Sequence, residues 1–271
     1  MVRPIGVIDS GVGGMTVAKE LMRQLPKESI VYIGDTKRCP YGPRTEEEVR
    51  TFTWEMVEHL KKHDIKMLVI ACNTATAFTL NELKRKLEIP VLGVIEPGAR
   101  AAITFSENKR IGVIGTEGTV RSQAYPEALK SIDESIHVNS QACPPFVPLV
   151  ERGVLEGPEA EEVVKTTLKP LKDKNGIDTL ILGCTHYPLI RDVIQNEMGA
   201  SINVISSGEE TAREASLILS YNHLQEKGNL PPIYKFYTTG DFHKFKKIAD
   251  EWFEGPLDTF EVIELDPVEI F

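Results

Sequence analysis

Short apolar segments alternate along the chain with longer amphipathic ones. The apolar segments are rich in β-branched residues and nearly continuous, a pattern that favours strands buried on both faces of a parallel sheet. We predict strands at 5–8, 30–33, 67–71, 91–94, 111–114, 179–182 and 202–205. The segments between them repeat apolar residues every three to four positions, which predicts helices at 45–63, 80–87, 159–171 and 209–224.

This alternation predicts the α/β class, and an internal echo predicts two similar parallel-sheet lobes. Segment 5–11 resembles 111–116, and segment 67–74 resembles 179–186, each pair offset by a little over 100 residues. We therefore expect a first lobe formed by 1–96 with a returning segment 208–271, and a second lobe formed by 97–207. The lobes would be related by a pseudo-two-fold axis, with a cleft between them.

Composition narrows the class of protein. The chain has 271 residues, of which 41% are hydrophobic, and this is enough for a sizeable core without stabilising disulfide bonds or metal ions. A net charge of -9 argues against a nucleic-acid partner. The first apolar run is closed by Asp9, which makes it too short for a signal peptide, and no run suits a membrane span. We expect a cytoplasmic protein with its four cysteines as free thiols.

Two of these cysteines end predicted strands at equivalent points of the repeat. Cys72 and Cys184 are each followed by polar residues that we expect to begin a helix. A helix N-terminus lowers the pKa of a thiol and offers N–H groups to an anion. Two thiols facing across a cleft would flank one small anionic molecule. Such a pair suits inversion at a carbon, because one thiolate removes a proton while the opposite thiol delivers one.

Nearby groups suit a supporting role but leave the chemistry open. Asp9 ends the first predicted strand, His186 follows Cys184 by two residues, and Glu151 follows a proline-rich segment predicted as a loop that reaches the cleft. A Cys–His–carboxylate set also fits a thiol hydrolase that uses Cys184 and His186. Cysteine and histidine spacing does not fit a zinc site, and turn 10–14 lacks the nucleotide-binding fingerprints.

Four motifs together resemble those of the glutamate racemases in the aspartate/glutamate racemase superfamily. They are IDSGVGG at 8–14, PYG at 40–42, ACNTA at 71–75 and GCTHYPL at 183–189. Any one motif is weak, but their order and spacing over nearly the whole chain are specific. The resemblance implies interconversion of L- and D-glutamate without pyridoxal phosphate or metal, supplying D-glutamate for peptidoglycan, in a homodimer.

The resemblance also assigns roles to individual positions. It implies that Cys72 and Cys184 are the acid/base pair, assisted by Asp9, His186 and Glu151. The substrate contacts that it implies are Asp9, Ser10, Tyr41, Gly42, Asn73, Thr74, Thr116, Thr119, Thr185 and His186.

Three alternatives stay open from the residues alone. An aspartate racemase would use the same two thiols, so glutamate rests on the resemblance. A cysteine hydrolase would need Cys184 and His186 but would tolerate loss of Cys72. A two-lobed binding protein of the periplasmic type would carry no chemistry, and the paired thiols count against it.

Overall fold

The structure is a computed structural model that describes residues 3–173, 176–228, 230–253 and 259–268. The strands are β1 (Ile5–Asp9), β2 (Ile30–Gly34), β3 (Met67–Ile70), β4 (Val91–Gly93), β5 (Arg110–Gly115), β6 (His137–Ala142), β7 (Thr179–Gly183), β8 (Asn203–Ser206), β9 (Tyr234–Thr238) and β10 (Thr259–Val262). The α-helices are α1 (Met15–Gln24), α2 (Glu46–Lys61), α3 (Asn73–Lys86), α4 (Ile95–Phe105), α5 (Glu117–Arg121), α6 (Ala124–Ile132), α7 (Phe146–Glu151), α8 (Pro158–Asp173), α9 (Arg191–Met198), α10 (Ser207–Tyr221) and α11 (Phe242–Trp252).

The described strands form two parallel sheets with a shared pattern. The first has the order β10-β9-β2-β1-β3-β4 and the second has the order β6-β5-β7-β8. In both, the first strand of the lobe lies between the second and the third, so β2-β1-β3-β4 corresponds to β6-β5-β7-β8. This equivalence confirms the predicted class of two similar parallel-sheet α/β lobes.

The central strands are buried on both faces, as their continuous apolar character predicts. Alternate residues of β7 enter different core clusters: Leu180 and Leu182 pack with α8 and α9, whereas Ile181 packs with α4 and α6. The same holds in β1, where Ile5 and Val7 face one cluster and Ile8 faces another. Helices therefore cover both faces of each sheet. A functional site can form only at the ends of the strands, which the helices leave uncovered.

All the predicted strands are present, and three further strands were not predicted. Strand β6 has the sequence HVNSQA and lies at an edge of the second sheet, where partial exposure permits polar residues. Strands β9 and β10 extend the first sheet beyond β2, with charged residues among their apolar ones. The segment after α10 thus adds two strands to the first sheet.

The predicted helices are present with different limits. A capping box begins α2, in which Thr45 Oγ1 accepts from the Glu48 N–H at 3.2 Å and the Thr45 N–H donates to Glu48 Oε2 at 2.9 Å. Helix α3 begins at Asn73, where the polar residues after Cys72 predict a helix start, and so extends the periodic segment 80–87 by seven residues toward the N-terminus. No helix within the described residues is long and apolar enough to cross a membrane.

The division of the chain into lobes at 96/97 and 207/208 stays a prediction. These positions fall in the first turns of α4 and α10, two helices that pack against each other, and α10 also packs against α1. The outermost residues assigned to the first lobe, 1–2 and 269–271, lie outside the described part of the chain, as do 254–258.

Candidate active site

Two adjacent strands of the first sheet deliver Asp9 and Cys72 to the same edge. Strand β1 ends at Asp9 and pairs in parallel with β3, which Cys72 follows two residues later. Cys72 is the N-cap of α3: its Sγ accepts from the Ala75 N–H at 3.4 Å and donates to Ser10 Oγ at 3.6 Å. The first lobe therefore presents one thiol between a hydroxyl and the start of a helix.

The second sheet repeats this arrangement with different partners. Cys184 follows β7, and its Sγ lies 3.8 Å from Nδ1 of His186. The expected helix does not begin directly at this cysteine, since a bend precedes a short 3₁₀ turn over Tyr187–Ile190. The imidazole of His186 thus takes the place beside the sulfur that a helix N-terminus occupies at Cys72.

The two strand ends meet through the glycine-rich turn after β1. Asp9 Oδ2 accepts from the Gly11 N–H at 2.9 Å, and its Oδ1 lies 3.5 Å from the hydroxyl of Thr185 in the other lobe. A Cβ at Gly13 would lie 2.5 Å from His186 Nδ1, so only a glycine permits this approach. Turn 10–14, which lacks the nucleotide-binding fingerprints, thus packs against the loop that follows Cys184.

Burial sets the protonation of these groups. Burial, with the charge of Asp9, raises the pKa of Cys72 to about 12, although the Ala75 N–H and Ser10 oppose the shift. Burial also raises the pKa of Asp9. The expectation that a helix N-terminus leaves Cys72 with a lowered pKa is therefore wrong, because loss of solvent outweighs one N–H contact. The charge of Cys184 also reaches Cys72 and raises its pKa further.

His186 and Glu151 form a charged pair behind Cys184. Burial alone would lower the pKa of His186, but the hydrogen bond to Cys184 and the contact with Glu151 raise it to about 10. Contact with His186 in turn lowers the pKa of Glu151 to about 2. Nε2 of His186 lies 3.5 Å from Glu151 Oε1, which makes an ion pair when the imidazole is protonated, and the raised pKa of His186 favours that protonated state.

The proline-rich segment before Glu151 is not the loop that we expected. It forms helix α7, with Pro145 as its N-cap and Glu151 as its last residue. Proline is tolerated in the first turn of a helix because the N–H groups there have no intrahelical partner. The helix packs Phe146 edge-on against Tyr187 and so carries Glu151 to His186.

A cluster of hydroxyls joins the lobes at the first turn of α3. Thr74 Oγ1 lies 2.8 Å from Thr116 Oγ1 and 3.1 Å from Thr119 Oγ1. The Gly118 N–H donates to the carbonyl of Gly42 at 2.8 Å. Predicted contact residues from both lobes are therefore already in mutual contact.

Two further predicted contacts depend on residues that sequence reasoning did not single out. Tyr41 donates its hydroxyl to Asp35 Oδ2 at 2.5 Å, so that hydroxyl is engaged inside the protein. Tyr125 donates to Asn73 Oδ1 at 2.8 Å, and this fixes the Asn73 amide with its Nδ2 unpaired among the described side chains. No motif around Asp35 or Tyr125 signals these contacts, which arise only in the tertiary structure.

Two other neighbours, Cys39 and Lys244, contact Glu151. Cys39 lies in the loop that carries Tyr41, and Lys244 lies in the first turn of α11. Among the described residues, no group of three or more His, Cys, Asp or Glu side chains is arranged to hold a metal ion.

The fold and site together define a class of protein. Two α/β lobes bring one buried thiol each to a common junction, with carboxyl and imidazole groups beside the sulfurs. Such a site is suited to an enzyme that carries out acid–base chemistry on a small bound molecule.

Comparison with known proteins gives the family. The model of the Asp/Glu/Hydantoin racemase family matches residues 5–215. The chain belongs to this family, which confirms the resemblance seen in the motifs.

Individual relatives agree over almost the full length. A curated glutamate racemase of Oceanobacillus iheyensis is 60% identical, with 94% of this chain and 93% of the relative covered. The crystal structure of a glutamate racemase isoform from Bacillus anthracis is 50% identical with a TM-score of 0.91, covering 97% of this chain and 98% of that one. A glutamate racemase from Francisella tularensis, solved in complex with D-glutamate, is 34% identical with a TM-score of 0.91 and 98% of both chains covered.

Proposed function

We propose that this protein interconverts L- and D-glutamate by a two-base mechanism. The observation that carries the proposal is the equivalence of Cys72 and Cys184, each following the third strand of its lobe and both buried at one junction. The names of relatives at up to 60% identity support glutamate as the substrate.

The reaction needs one proton removed and one delivered. The thiolate of one cysteine takes the α-proton, and the electron pair of the broken C–H bond spreads into the substrate's α-carboxylate. The thiol of the other cysteine then protonates the carbon from the opposite face, which inverts it. The first sulfur ends as a thiol and the second as a thiolate, so the roles exchange for the reverse reaction.

Charged groups beside each sulfur assist its proton transfers. Nδ1 of His186, whose ring is held by Glu151, lies 3.8 Å from the Cys184 sulfur and can exchange a proton with it. The Asp9 carboxylate instead favours the protonated thiol of Cys72. The substrate's α-ammonium group brings a positive charge into this buried site, where it favours a thiolate. We assign Asp9, His186 and Glu151 the assisting roles on these grounds.

Substrate contacts are proposed from donors that line the same junction. The unpaired Asn73 Nδ2 and the hydroxyl of Ser10 lie beside Cys72 and suit a carboxylate. The other proposed contacts are Tyr41, Gly42, Thr74, Thr116, Thr119, Thr185 and His186. Because Thr74, Thr116 and Thr119 now satisfy one another, we expect the lobes to shift slightly when substrate binds.

Four further proposals rest on the resemblance to the family. We infer that the reaction needs no pyridoxal phosphate or metal, that the product supplies peptidoglycan synthesis, that the enzyme is cytoplasmic, and that it forms a homodimer. Sedimentation would test the dimer, and activity after dialysis against a chelator would test the metal.

The direct test incubates the protein with L-glutamate in D2O. We expect optical rotation to decay to zero while α-deuterium appears, and constant rotation without deuterium uptake would contradict the proposal. A parallel incubation with L-aspartate tests the aspartate alternative. The Cys72→Ser variant separates a racemase, which needs both thiols, from a hydrolase that needs only Cys184 and His186.

A further inference from the structure

Helix α11, far from the motifs in the sequence, contacts Glu151 beside the Cys184–His186 pair through one lysine. Lys244 Nζ lies 3.2 Å from Glu151 Oε2. The two residues are 93 positions apart and belong to different parts of the fold. Helix α11 packs on the first sheet through Phe245, which stacks on Tyr32, whereas α7 packs on the second sheet. This ion pair therefore exists only while the two lobes lie together as they do here.

The carboxylate of Glu151 is shared between that lysine and the site. Its Oε2 faces Lys244, while its Oε1 lies 3.5 Å from His186 Nε2 and 3.5 Å from Cys39 Sγ. Glu151 is the last residue of a six-residue helix, where the backbone constrains a long side chain weakly. Its partners thus determine where the carboxylate points, and the lysine holds the oxygen that does not face the imidazole.

We propose that Lys244 is a positioning residue for the Cys184–His186 pair: it orients Glu151 toward His186 and couples that pair to closure of the lobes. The proposal rests on the proposed racemase function for its kinetic consequence. Lys244 contacts neither sulfur, so its effect passes through Glu151 and His186. The neighbouring lysines do not share the role, since Lys246 pairs with Asp250 at 2.6 Å and Lys247 with Glu251 at 4.0 Å, both on the same helix.

Removal of Lys244 would change the pKa of His186 in two opposing ways, so the sign of the measured change distinguishes them. The groups facing His186 are Cys184, Asp9 and Glu151, and those facing Glu151 are Cys39, His186 and Lys244. Loss of a positive charge nearby would raise the pKa of His186. Loss of an oriented carboxylate would lower it, because contact with Glu151 is one of the causes that raise this pKa to about 10. A positioning role therefore predicts a fall in the pKa.

The test compares Lys244→Met, Lys244→Arg and the matched control Lys246→Met. The pKa of His186 is measured by NMR titration of 15N-histidine-labelled protein, with the signal assigned from a His186→Gln variant. We expect Lys244→Met to lower this pKa and to reduce kcat for glutamate by about 2- to 5-fold with KM unchanged, the range of a half-exposed ion pair. Lys244→Arg should restore both values, and Lys246→Met should change neither.

A His186 pKa that rises or stays constant in Lys244→Met would overturn the proposal, as would an equal fall in Lys246→Met. The titration needs no turnover, so it reports on Lys244 even if the protein fails to racemise glutamate. Absence of activity in the unsubstituted protein would instead refute the proposed racemase function. The titration would then decide the positioning role of Lys244 by itself.

Discussion

Replacing Gly13 with alanine perturbs the junction between the lobes at the point of closest approach. A Cβ there would lie 2.5 Å from His186 Nδ1 and closer still to Thr185 Oγ1. Non-bonded heavy atoms prefer separations of about 3.5–4.0 Å, so the cysteine loop of the second lobe must retreat by about 1 Å. His186 and Thr185 are 2% and 6% exposed, which leaves them little space to yield.

The expected losses follow from that displacement. Overpacking of a buried contact costs about 1–3 kcal/mol of unfolding free energy. A shift of about 1 Å in a catalytic group costs about 100-fold in rate, because the two sulfurs no longer flank the same carbon. We expect kcat/KM to fall equally in both directions, since the enantiomers have equal free energies in water.

Circular dichroism of glutamate measures the rate in each direction, and urea unfolding measures stability. The matched control is Gly208→Ala, where a Cβ would lie 3.6 Å from Val17 Cγ2, an ordinary contact. This control lies within α10, where alanine stabilises a helix by up to about 1 kcal/mol, and activity should be retained. Near-normal kcat/KM in Gly13→Ala would refute the close junction described above.

Three further predictions concern charge and stability. The pKa of His186 is raised from 6.5 to about 10, so the stability that it contributes is complete below pH 6.5 and is lost as the pH rises through 10. Between pH 6.5 and pH 9.5, the free energy of unfolding in urea should therefore decrease less for His186→Gln than for the unsubstituted protein. The pKa of Glu151 is lowered from 4.5 to about 2, so its contribution to stability is present above pH 4.5 and is lost as the pH falls through 2. In unfolding experiments, Glu151→Gln should therefore lose less unfolding free energy at acid pH than the unsubstituted protein, and an unchanged acid profile would count against the Glu151–His186 pair. The ion pair between Lys66 and Glu28, 4% and 3% exposed, lies at the end of the sheet away from the cysteines. Lys66→Met should therefore lower the unfolding free energy by about 3–5 kcal/mol in chemical denaturation while kcat is retained, and the double variant Lys66→Met with Glu28→Leu should recover most of that loss.

The sequence was informative where one local pattern decides the structure. Strands β1, β3, β5 and β7 are continuous apolar runs because both of their faces are buried, so periodicity alone finds them. Strand β6 was not predicted because a strand at the edge of a sheet can be polar, and its sequence therefore lacks a continuous apolar run. The returning strands escaped for a similar reason, since Lys235 and Glu261 interrupt their apolar residues.

Strand-end cysteines were predictable as a pair, but their surroundings were not. The pKa of Cys72 depends on how completely the lobes exclude water, and the helix N-terminus visible in the sequence has the opposite and smaller effect. Similarly, Lys244 reaches Glu151 across the fold, and no pattern at either position reports that contact. Local motifs thus identify the reacting groups, whereas tertiary packing sets their protonation and orientation.

The isotope content of product and recovered substrate at low conversion tests the two-base mechanism most directly. L-glutamate with protium at the α-carbon is incubated in D2O, and both enantiomers are separated and analysed by mass spectrometry. Two facing thiols predict D-glutamate that carries deuterium from the second thiol, while the recovered L-glutamate keeps its protium. D-glutamate that retains the original α-proton would show that a single base serves both faces and would contradict the roles assigned to Cys72 and Cys184.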